Sequence, residues 1–369
     1  MIHNKYNTLN PYELCPCESG NKFKFCCYKK AKKAQHDRTY EKITDARLNN
    51  YLFQNWKSTD FKTCYINDTT CNGAIKAAHS VQNNRILNRI SEDGHLYIID
   101  GIVKKFELTP EFKKISKNKA STFFGFCDYH DNVIFSPIET KIYTNTEEQN
   151  FLFSYRSFCV AYHKITRKMN LMKKGLKENP ESMLQEYQIN MYRINQFDLA
   201  DAELEHKQMN EMLKNENYSD LKYFSYTLNY EINFATASYF AVAEDMNGNE
   251  INNTKDLSES NIIPRLFVTV FPTEGKSLII IACNIKHSQK YENLFQQFSQ
   301  ASEATLLNYL NYIIINYTED YYFRPSKIDS LSDVKKHSLL KSFESYTNEV
   351  EKLHLIKENN FFNFNIFDL

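Results

Sequence analysis

Residues Cys15–Cys27 read CPCESGNKFKFCC, which places four cysteines within thirteen residues. A Cys-x-Cys pair comes first, Ser19 and Gly20 favour a turn, and a Cys-Cys pair follows. Zinc in structural sites takes four nitrogen or sulfur ligands in a tetrahedral arrangement. The spacing therefore predicts one structural zinc ion in this part of the chain. Its predicted ligands are Cys15, Cys17, Cys26 and Cys27.

Two disulfide bonds are an alternative use of these cysteines. However, the segment Met1–Pro11 is polar and lacks the apolar run of a secretory signal. Nine cysteines in 369 residues are few for a disulfide scaffold, and adjacent cysteines pair poorly with each other, whereas one metal ion can bind both. A zinc site contributes about 10–16 kcal/mol in small modules, enough to fold a segment without its own core. We therefore predict a zinc module in a protein of the reducing cytoplasm.

The segment of residues 12–30 resembles the SEC-C motif, a small zinc module found at the C-terminus of the SecA translocation ATPase and appended to many other bacterial proteins. That motif has Cys-x-Cys, eight residues, and then Cys-Cys or Cys-His, with Ser-Gly, an aromatic residue and lysines in the interval. This chain has Ser-Gly, Phe23 and two lysines there, and Glu18 where the motif usually has glycine. In SecA the module docks to the chaperone SecB and to ribosomes, so the resemblance implies a protein or ribosomal partner.

The zinc module and the segment after it are rich in lysine, although the whole chain is neutral with 45 basic and 45 acidic residues. The overall balance argues against a uniformly basic nucleic-acid coat protein. A local basic surface can still bind phosphate, and a solvated helix face is the alternative explanation. The residues predicted to contact nucleic acid or a partner are Lys22, Lys24, Lys29, Lys30, Lys32 and Lys33.

A second group of cysteine and histidine residues lies between residues 60 and 140. Cys127 and His130 form a Cys-x-x-His pair that can bind one side of a zinc ion. The thiols available to complete the site are those of Cys64 and Cys71. We predict a structural Cys3His zinc site. The alternative is that these four residues are unrelated.

The stretch of residues 75–83, IKAAHSVQN, is similar to the histidine-bearing strand of HNH endonucleases, which have a zinc-tethered ββα fold. In that family the histidine activates a water nucleophile, while a divalent ion stabilises the leaving oxyanion of the phosphodiester. The resemblance implies that His79 is a general base and that the enzyme uses magnesium or manganese. The residues that would help to hold this ion are His95, Asp131 and Asn132, with Glu139 as a further carboxylate.

The sequence differs from the HNH pattern in three respects. The zinc-binding pair is Cys-x-x-His and not Cys-x-x-Cys, and the interval from His79 to Cys127 is long for a compact hairpin. Pro137 is expected to cut short the helix that follows His130. Under a second interpretation, His79 replaces Cys71 as the fourth zinc ligand, and the site has no catalytic role.

We expect an α+β protein in four parts. These are a SEC-C-like zinc module over residues 1–30, an HNH-like mixed domain over 31–145, a long helical hairpin over 146–220, and an α+β domain with an antiparallel sheet over 221–369. Helices are predicted over residues 31–56, 147–172, 181–215, 291–298, 303–317 and 333–358, and the C-terminal strands over 226–234, 239–243, 266–271 and 277–285. No stretch approaches the about 20 apolar residues of a membrane-spanning helix, so we expect no membrane partner.

Two functions follow from these patterns. In the first, the chain is a zinc-binding bacterial protein that binds or cleaves nucleic acid as an HNH-like endonuclease. A basic module ahead of a nuclease occurs in phage-defence proteins, which is an analogy of fold alone. In the second, the chain is a non-catalytic adaptor whose SEC-C-like module binds a protein or the ribosome. Both use one or two structural zinc ions, and the sequence leaves the oligomeric state open.

Overall fold

The computed structural model describes residues 9–36, 44–105, 107–253, 256, 258, 261–318, 320–344 and 365–369. These residues form helices and antiparallel sheets, which confirms the α+β prediction at the level of fold class. The chain divides into two compact units. The first consists of Met1–Phe61 and Tyr162–Lys207, and the second of Lys62–Ala161 and Gln208–Leu369.

The α-helices mostly occur in groups, which are separated by groups of strands. In chain order they are α1 (Tyr28–His36), α2 (Asp45–Ser58), α3 (Asn88–Ile90), α4 (Asp128–Glu139), α5 (Glu147–Glu178), α6 (Glu186–Asn215), α7 (Glu292–Gln300), α8 (Glu303–Tyr317), α9 (Pro325–Asp329) and α10 (Asp333–Glu344). The strands are β1 (Ile75–His79), β2 (His95–Lys104), β3 (Glu107–Ser116), β4 (Thr122–Cys127), β5 (Leu221–Leu228), β6 (Phe234–Phe240), β7 (Leu266–Thr273), β8 (Lys276–Asn284) and β9 (Tyr321–Phe323).

The first unit packs its cysteine-rich segment against parts of the two long helices. Phe23 is completely buried. A segment of this length cannot build a hydrophobic core from its own side chains, and it shares one with α5 and α6. The core residues are Leu9, Cys15, Phe23, Cys27, Ala31, Met169, Leu176, Met183, Ile189 and Tyr192.

One helix was predicted over residues 31–56, and the structure shows that this prediction is wrong. Thr44 has an extended backbone, with φ −85° and ψ 155°, and it caps the N-terminus of α2. Its hydroxyl oxygen accepts a hydrogen bond from the backbone N–H of Arg47 at 3.3 Å. A threonine in this role satisfies a donor that the first helical turn leaves free. The region therefore contains α1 and α2 as separate helices.

The second unit contains a seven-stranded antiparallel sheet in the order β3-β2-β9-β6-β7-β8-β5. The most apolar run of the sequence forms β8, which lies between β7 and β5 and is buried along almost its whole length. Helix α8 contributes ten buried residues to the same core, as expected for a helix that is apolar on most sides. The sheet and the helices of the last third thus form one hydrophobic core.

Several predicted boundaries need correction. The strand predicted over residues 226–234 is two strands, because β5 ends at Leu228 and β6 begins at Phe234. Helix α5 continues through Gly175 to Glu178, and a Cβ at position 175 would meet no atom within 4 Å. The predicted helix over 333–358 is α10 as far as Glu344, and the remainder lies outside the described residues.

A two-stranded antiparallel sheet of β1 and β4 lies in the second unit, and α4 follows β4 directly. Ile75 pairs with Cys127, and His79 pairs with Thr122. The intervening residues 80–121 contain β2 and β3, which belong to the large sheet through the pairing of Tyr97 with Phe323. This insertion explains the long interval between His79 and Cys127.

Replacing Thr44 with alanine should lower the free energy of unfolding of the first unit by about 1 kcal/mol, because the N-cap acceptor is lost. Urea denaturation followed by the fluorescence of Trp56, the single tryptophan, would measure the change. Thr44→Ser keeps the hydroxyl and should unfold close to the wild-type midpoint. Identical midpoints for the alanine variant and the wild type would show that the cap does not stabilise α2.

Candidate metal centres

The N-terminal thiol group consists of four cysteines whose sulfur atoms lie within 4.8 Å of one another: Cys15, Cys17, Cys26 and Cys27. A tight turn brings the two pairs together, since the N–H of Cys15 donates to the carbonyl of Asn21 at 2.8 Å. A 3-10 turn over Phe23–Phe25 then presents the second pair. Sγ of Cys17 lies 3.3 Å from Sγ of Cys26, which lies 3.7 Å from Sγ of Cys27.

These distances fit a tetrahedral zinc site. Zinc–sulfur bonds of about 2.3 Å at the tetrahedral angle place two sulfur atoms about 3.8 Å apart. Burial raises the pKa of Cys27, whereas at Cys17 burial is outweighed by hydrogen bonds from Ser19 and Cys26, and the pKa falls to about 6. Because zinc binds thiolates, the lowered pKa of Cys17 favours metal binding.

Glu18 lies between the two cysteine pairs in a backbone conformation that favours glycine. Its φ is +63°, in the left-handed region that side chains other than glycine rarely adopt. Its carboxylate forms an ion pair with Lys173 at 2.6 Å within the first unit. This ion pair connects the cysteine-rich segment to α5.

The Cys3His group lies in the second unit, and its four ligand atoms also lie within 4.8 Å of one another. Its members are Cys64, Cys71, Cys127 and His130. Nδ1 of His130 lies 3.3 Å from Sγ of both Cys64 and Cys127, and 3.6 Å from Sγ of Cys71. Zinc bonds of about 2.3 Å to sulfur and about 2.0 Å to nitrogen place the two atoms roughly 3.5 Å apart at the tetrahedral angle. The donor atoms thus fit a Cys3His zinc site.

Local structure positions each member of the Cys3His group. Cys127 is the last residue of β4 and the N-cap residue of α4, so His130 follows it in the first helical turn. The preceding loop is held to β4 by a hydrogen bond from the N–H of Tyr65 to the carbonyl of Gly125 at 2.9 Å. This contact brings Cys64 to the end of β4. Cys71, and not His79, is the fourth member of the group.

The other ring nitrogen of His130 has partners of its own. Nε2 lies 2.9 Å from the hydroxyl of Thr70 and 3.5 Å from a carboxylate oxygen of Asp68. A proton on Nε2 can be donated to these oxygens, which leaves the lone pair of Nδ1 directed at the thiols. Such outer partners fix the orientation and tautomer of metal-binding histidines. Sequence reasoning missed Asp68 and Thr70, whose separation from His130 along the chain gives no local signal.

His79 is the last residue of β1, and its ring is anchored to the main chain. Nδ1 lies 3.0 Å from the carbonyl oxygen of Ala120 and 3.2 Å from the hydroxyl of Ser121. Since a carbonyl oxygen only accepts, Nδ1 carries the proton and donates it to Ala120, and Nε2 keeps a free lone pair. Burial lowers the pKa of His79 below its ordinary 6.5, so the neutral ring predominates at pH 7.

Asp131 lies in the first turn of α4, directly after the zinc-ligand histidine. Its Oδ1 atom is buried and has no hydrogen-bond partner among the described residues. Burial raises the pKa of Asp131, while the positive charge of Arg156 opposes that rise. The charges of Arg156 and Glu139 also influence the pKa of His79.

Arg156 is a third residue that sequence reasoning missed. Its side chain is 3% exposed and pairs with Glu139 through Nη2 and Oε1 at 2.6 Å. The guanidinium also lies 4.0 Å from the centre of the Phe135 ring, while Nε is buried without a hydrogen-bond partner among the described residues. An arginine inside a long amphipathic helix gives no sequence signal of this kind, because its neighbours come from α4.

The remaining two predicted catalytic residues lie elsewhere. Asn132 is exposed, and its amide donates to the carbonyl and the carboxylate of Asp128 at 2.7 and 3.1 Å. His95 begins β2 in the large sheet and is exposed, with Nδ1 2.7 Å from the carbonyl of Asp93. Among the described residues, no group of possible metal ligands contains His79, His95, Asp131 or Asn132.

Helix α4 is not cut short by Pro137. It runs to Glu139 and contains Pro137, so the expected early end of this helix is wrong. Proline removes one N–H donor and crowds the preceding turn. Its position in the last turn limits that cost. In the second unit, β1, β4 and α4 therefore form a ββα arrangement with a zinc-type ligand set at the junction of β4 and α4.

Comparison with protein-family models, with curated proteins and with solved structures gave no significant match. The resemblances to SEC-C and HNH proteins therefore rest on the residues and the geometry described above. Among the described residues, no helix combines the length and the apolar character needed to cross a membrane.

Elemental analysis of the purified chain should find two zinc ions per molecule, because both ligand groups have suitable donors and spacing. Replacing Cys15 and Cys17 together with serine should remove one ion, and Cys127→Ser with His130→Ala should remove the other. Cys159→Ala is the matched control, since this buried thiol belongs to neither group. A fully folded wild-type chain free of metal would contradict both sites.

Replacing Thr70 with valine and Asp68 with asparagine should weaken zinc binding at the Cys3His group about 10- to 100-fold, because Nε2 of His130 loses its partners. Competition with a chromophoric chelator would measure this affinity. Thr69→Val changes a neighbouring exposed threonine and should leave the affinity unchanged. Equal affinities for all variants would show that His130 is oriented by its thiol contacts alone.

Proposed function

We propose that the second unit is a metal-dependent nuclease of the HNH-like ββα type, with His79 as its general base. The observation that carries the proposal is the anchoring of Nδ1 of His79 to the carbonyl of Ala120 at 3.0 Å. This contact orients the ring and leaves Nε2 as a base. Without such an anchor, the ring could rotate, and either ring nitrogen could carry the proton.

In the proposed reaction, His79 and Asp131 have separate roles. Nε2 of His79 accepts a proton from a water molecule as the water oxygen attacks phosphorus. The bond from phosphorus to the leaving oxygen then breaks, and the proton remains on the imidazole until it passes to solvent or to the leaving oxygen. A magnesium or manganese ion, held by Asp131, would stabilise the negative charge of the leaving oxygen.

The orphaned carboxylate supports a cation at this place. A buried carboxylate oxygen without a partner costs free energy that a metal ion or a hydrogen bond would recover. Oxygen ligands of this type are those that magnesium prefers. The ion pair between Arg156 and Glu139 lies in the same neighbourhood. We assign it a positioning role, because Arg156 is buried and stacked against Phe135 of the helix that carries Asp131.

The Cys3His group has a structural role in this proposal. It joins the end of β4, the first turn of α4 and the preceding loop at a single point. The pairing of β1 with β4 then places His79 on the neighbouring strand. We assign His95 and Asn132 no part in the mechanism, because His95 begins a strand of the large sheet and the amide of Asn132 donates to Asp128.

His79→Ala should reduce cleavage of labelled DNA or RNA about 10²- to 10⁴-fold, the range that general-base catalysis contributes. Asp131→Asn should lower cleavage and raise the magnesium or manganese concentration needed for half-maximal activity. His95→Ala is the matched control, since it removes an exposed histidine of the large sheet. If no single- or double-stranded nucleic acid is cleaved with any divalent ion by zinc-loaded protein, the proposal fails.

The cleavage rate should depend on pH through His79. Its pKa lies below 6.5 because burial disfavours the charged ring. The rate should therefore fall as the pH drops below that pKa, where the base becomes protonated, and should be level from about pH 7 upward. Rates of substrate cleavage between pH 5 and 9 would test this. A rate that is highest at pH 5 would contradict the assignment of His79 as base.

A further inference from the structure

The acidic residues of the N-terminal segment are neutralised within the first unit. Residues 9–36 contain two acidic residues and six lysines. Glu13 pairs with Arg193 at 3.3 Å, and Glu18 pairs with Lys173 at 2.6 Å. All six lysines are exposed. The solvent face of this segment therefore presents positive charge without a matching acid among its described residues.

Large apolar side chains lie on the same face as the lysines. Tyr12 is 55% exposed and Phe25 is 72% exposed. Nζ of Lys24 donates to the hydroxyl of Tyr12 at 2.8 Å, and it lies 4.9 Å from the ring centre of Tyr12 and 5.9 Å from that of Phe25. Nζ of Lys22 lies 5.9 Å from the ring centre of Tyr12. We call Tyr12, Lys22, Lys24 and Phe25 the aromatic–lysine patch.

The fold holds these rings out of the core. Phe23 is completely buried in the first unit, whereas Phe25 at the other end of the same 3-10 turn faces solvent. The next residues, Cys26 and Cys27, belong to the N-terminal thiol group. The ring of Phe25 is therefore carried on a segment that the metal ligands hold in place. An exposed phenylalanine forgoes the hydrophobic stabilisation that its burial would give.

Alternating rings and ammonium groups match the chemistry of a single nucleic-acid strand. Unpaired bases stack on aromatic faces, and the phosphates between them attract lysine. A duplex hides its base faces and would use the lysines alone. An acidic peptide would likewise satisfy the charges without using the ring faces. The rings therefore favour the single strand as the occupant.

We propose that the aromatic–lysine patch binds single-stranded nucleic acid, with bases stacked on Tyr12 and Phe25 and phosphates bound by the neighbouring lysines. The lysines of α1 extend the phosphate-binding surface. They are Lys29, Lys30, Lys32 and Lys33. This binding activity belongs to the first unit and is independent of the cleavage proposed for the second.

Fluorescence anisotropy with labelled twelve-nucleotide oligo(dT) and oligo(U) tests the proposal. The protein is the full zinc-loaded chain carrying His79→Ala, without added magnesium or manganese, so that cleavage cannot alter the signal. Tyr12→Ala and Phe25→Ala should each raise Kd on the order of 5- to 150-fold, which corresponds to the loss of one stacked base. Phe25→Trp should restore binding, because it keeps a flat ring.

The controls separate stacking from charge and from misfolding. Phe53→Ala removes another exposed phenylalanine of the first unit and should leave Kd unchanged. Lys29→Gln with Lys30→Gln should weaken binding and flatten its dependence on salt, by about 0.7 in logarithmic slope for each phosphate that the protein no longer neutralises. Every variant should keep the zinc content of the parent protein.

Three results would overturn the proposal. The first is equal affinity for the single strand and the matching duplex. The second is unchanged Kd for Tyr12→Ala and Phe25→Ala while the lysine variants bind weakly, which would leave a purely electrostatic surface. The third is binding of poly-glutamate with no binding of oligonucleotides at low salt, which would favour an acidic protein partner. None of these results depends on whether His79 supports cleavage.

Discussion

The close approach of thiols to one another and to an imidazole is the constraint on which the rest of the structure depends. Sγ atoms of Cys64 and Cys127 lie 3.3 Å from Nδ1 of His130, and two sulfur atoms of the N-terminal group are equally close. Ionised thiols at such distances repel each other unless a cation lies between them. A divalent ion bound between these atoms would remove that repulsion and cross-link the segments that carry them.

The positions of His79 and Asp131 follow from the elements that meet at the Cys3His group. Helix α4 follows β4 directly, which places Asp131 in the first turn of the helix, and β1 pairs along β4. His79 is anchored through Nδ1 alone, while Asp131 has a buried oxygen without a hydrogen-bond partner among the described residues. Local rules of polar satisfaction are often broken at functional sites. In the N-terminal segment, the exposed rings of the aromatic–lysine patch likewise forgo burial.

Sequence patterns that depend on neighbouring residues were informative. The two ligand groups could be predicted because Cys-x-Cys, Cys-Cys and Cys-x-x-His are local spacings, and because few other thiols remained. The predicted bounds of α8, residues 303–317, are those of the observed helix. The helix begins directly after its N-cap residue Ser302, and its apolar residues extend almost to its end. The prediction of a single helix over residues 31–56 is wrong at Thr44, where a side-chain hydrogen bond competes with helix continuation. The short loop between β5 and β6 has neither glycine nor proline, and one strand was predicted where two exist.

The sequence by itself determined the chemistry of the donors, the apolar runs of the sheet and the basic character of the first module, since these are properties of residue types and short spacings. Only the tertiary structure decided which candidates meet. It placed Cys71 beside Cys64, and it placed His95 on a strand of the large sheet. It also brought the charge of Arg156 close enough to influence the pKa values of His79 and Asp131. The physical reason is that strand pairing is non-local. Residues 95–116 could have extended the hairpin of β1, but they join the large sheet through β9, more than 200 residues further along the chain.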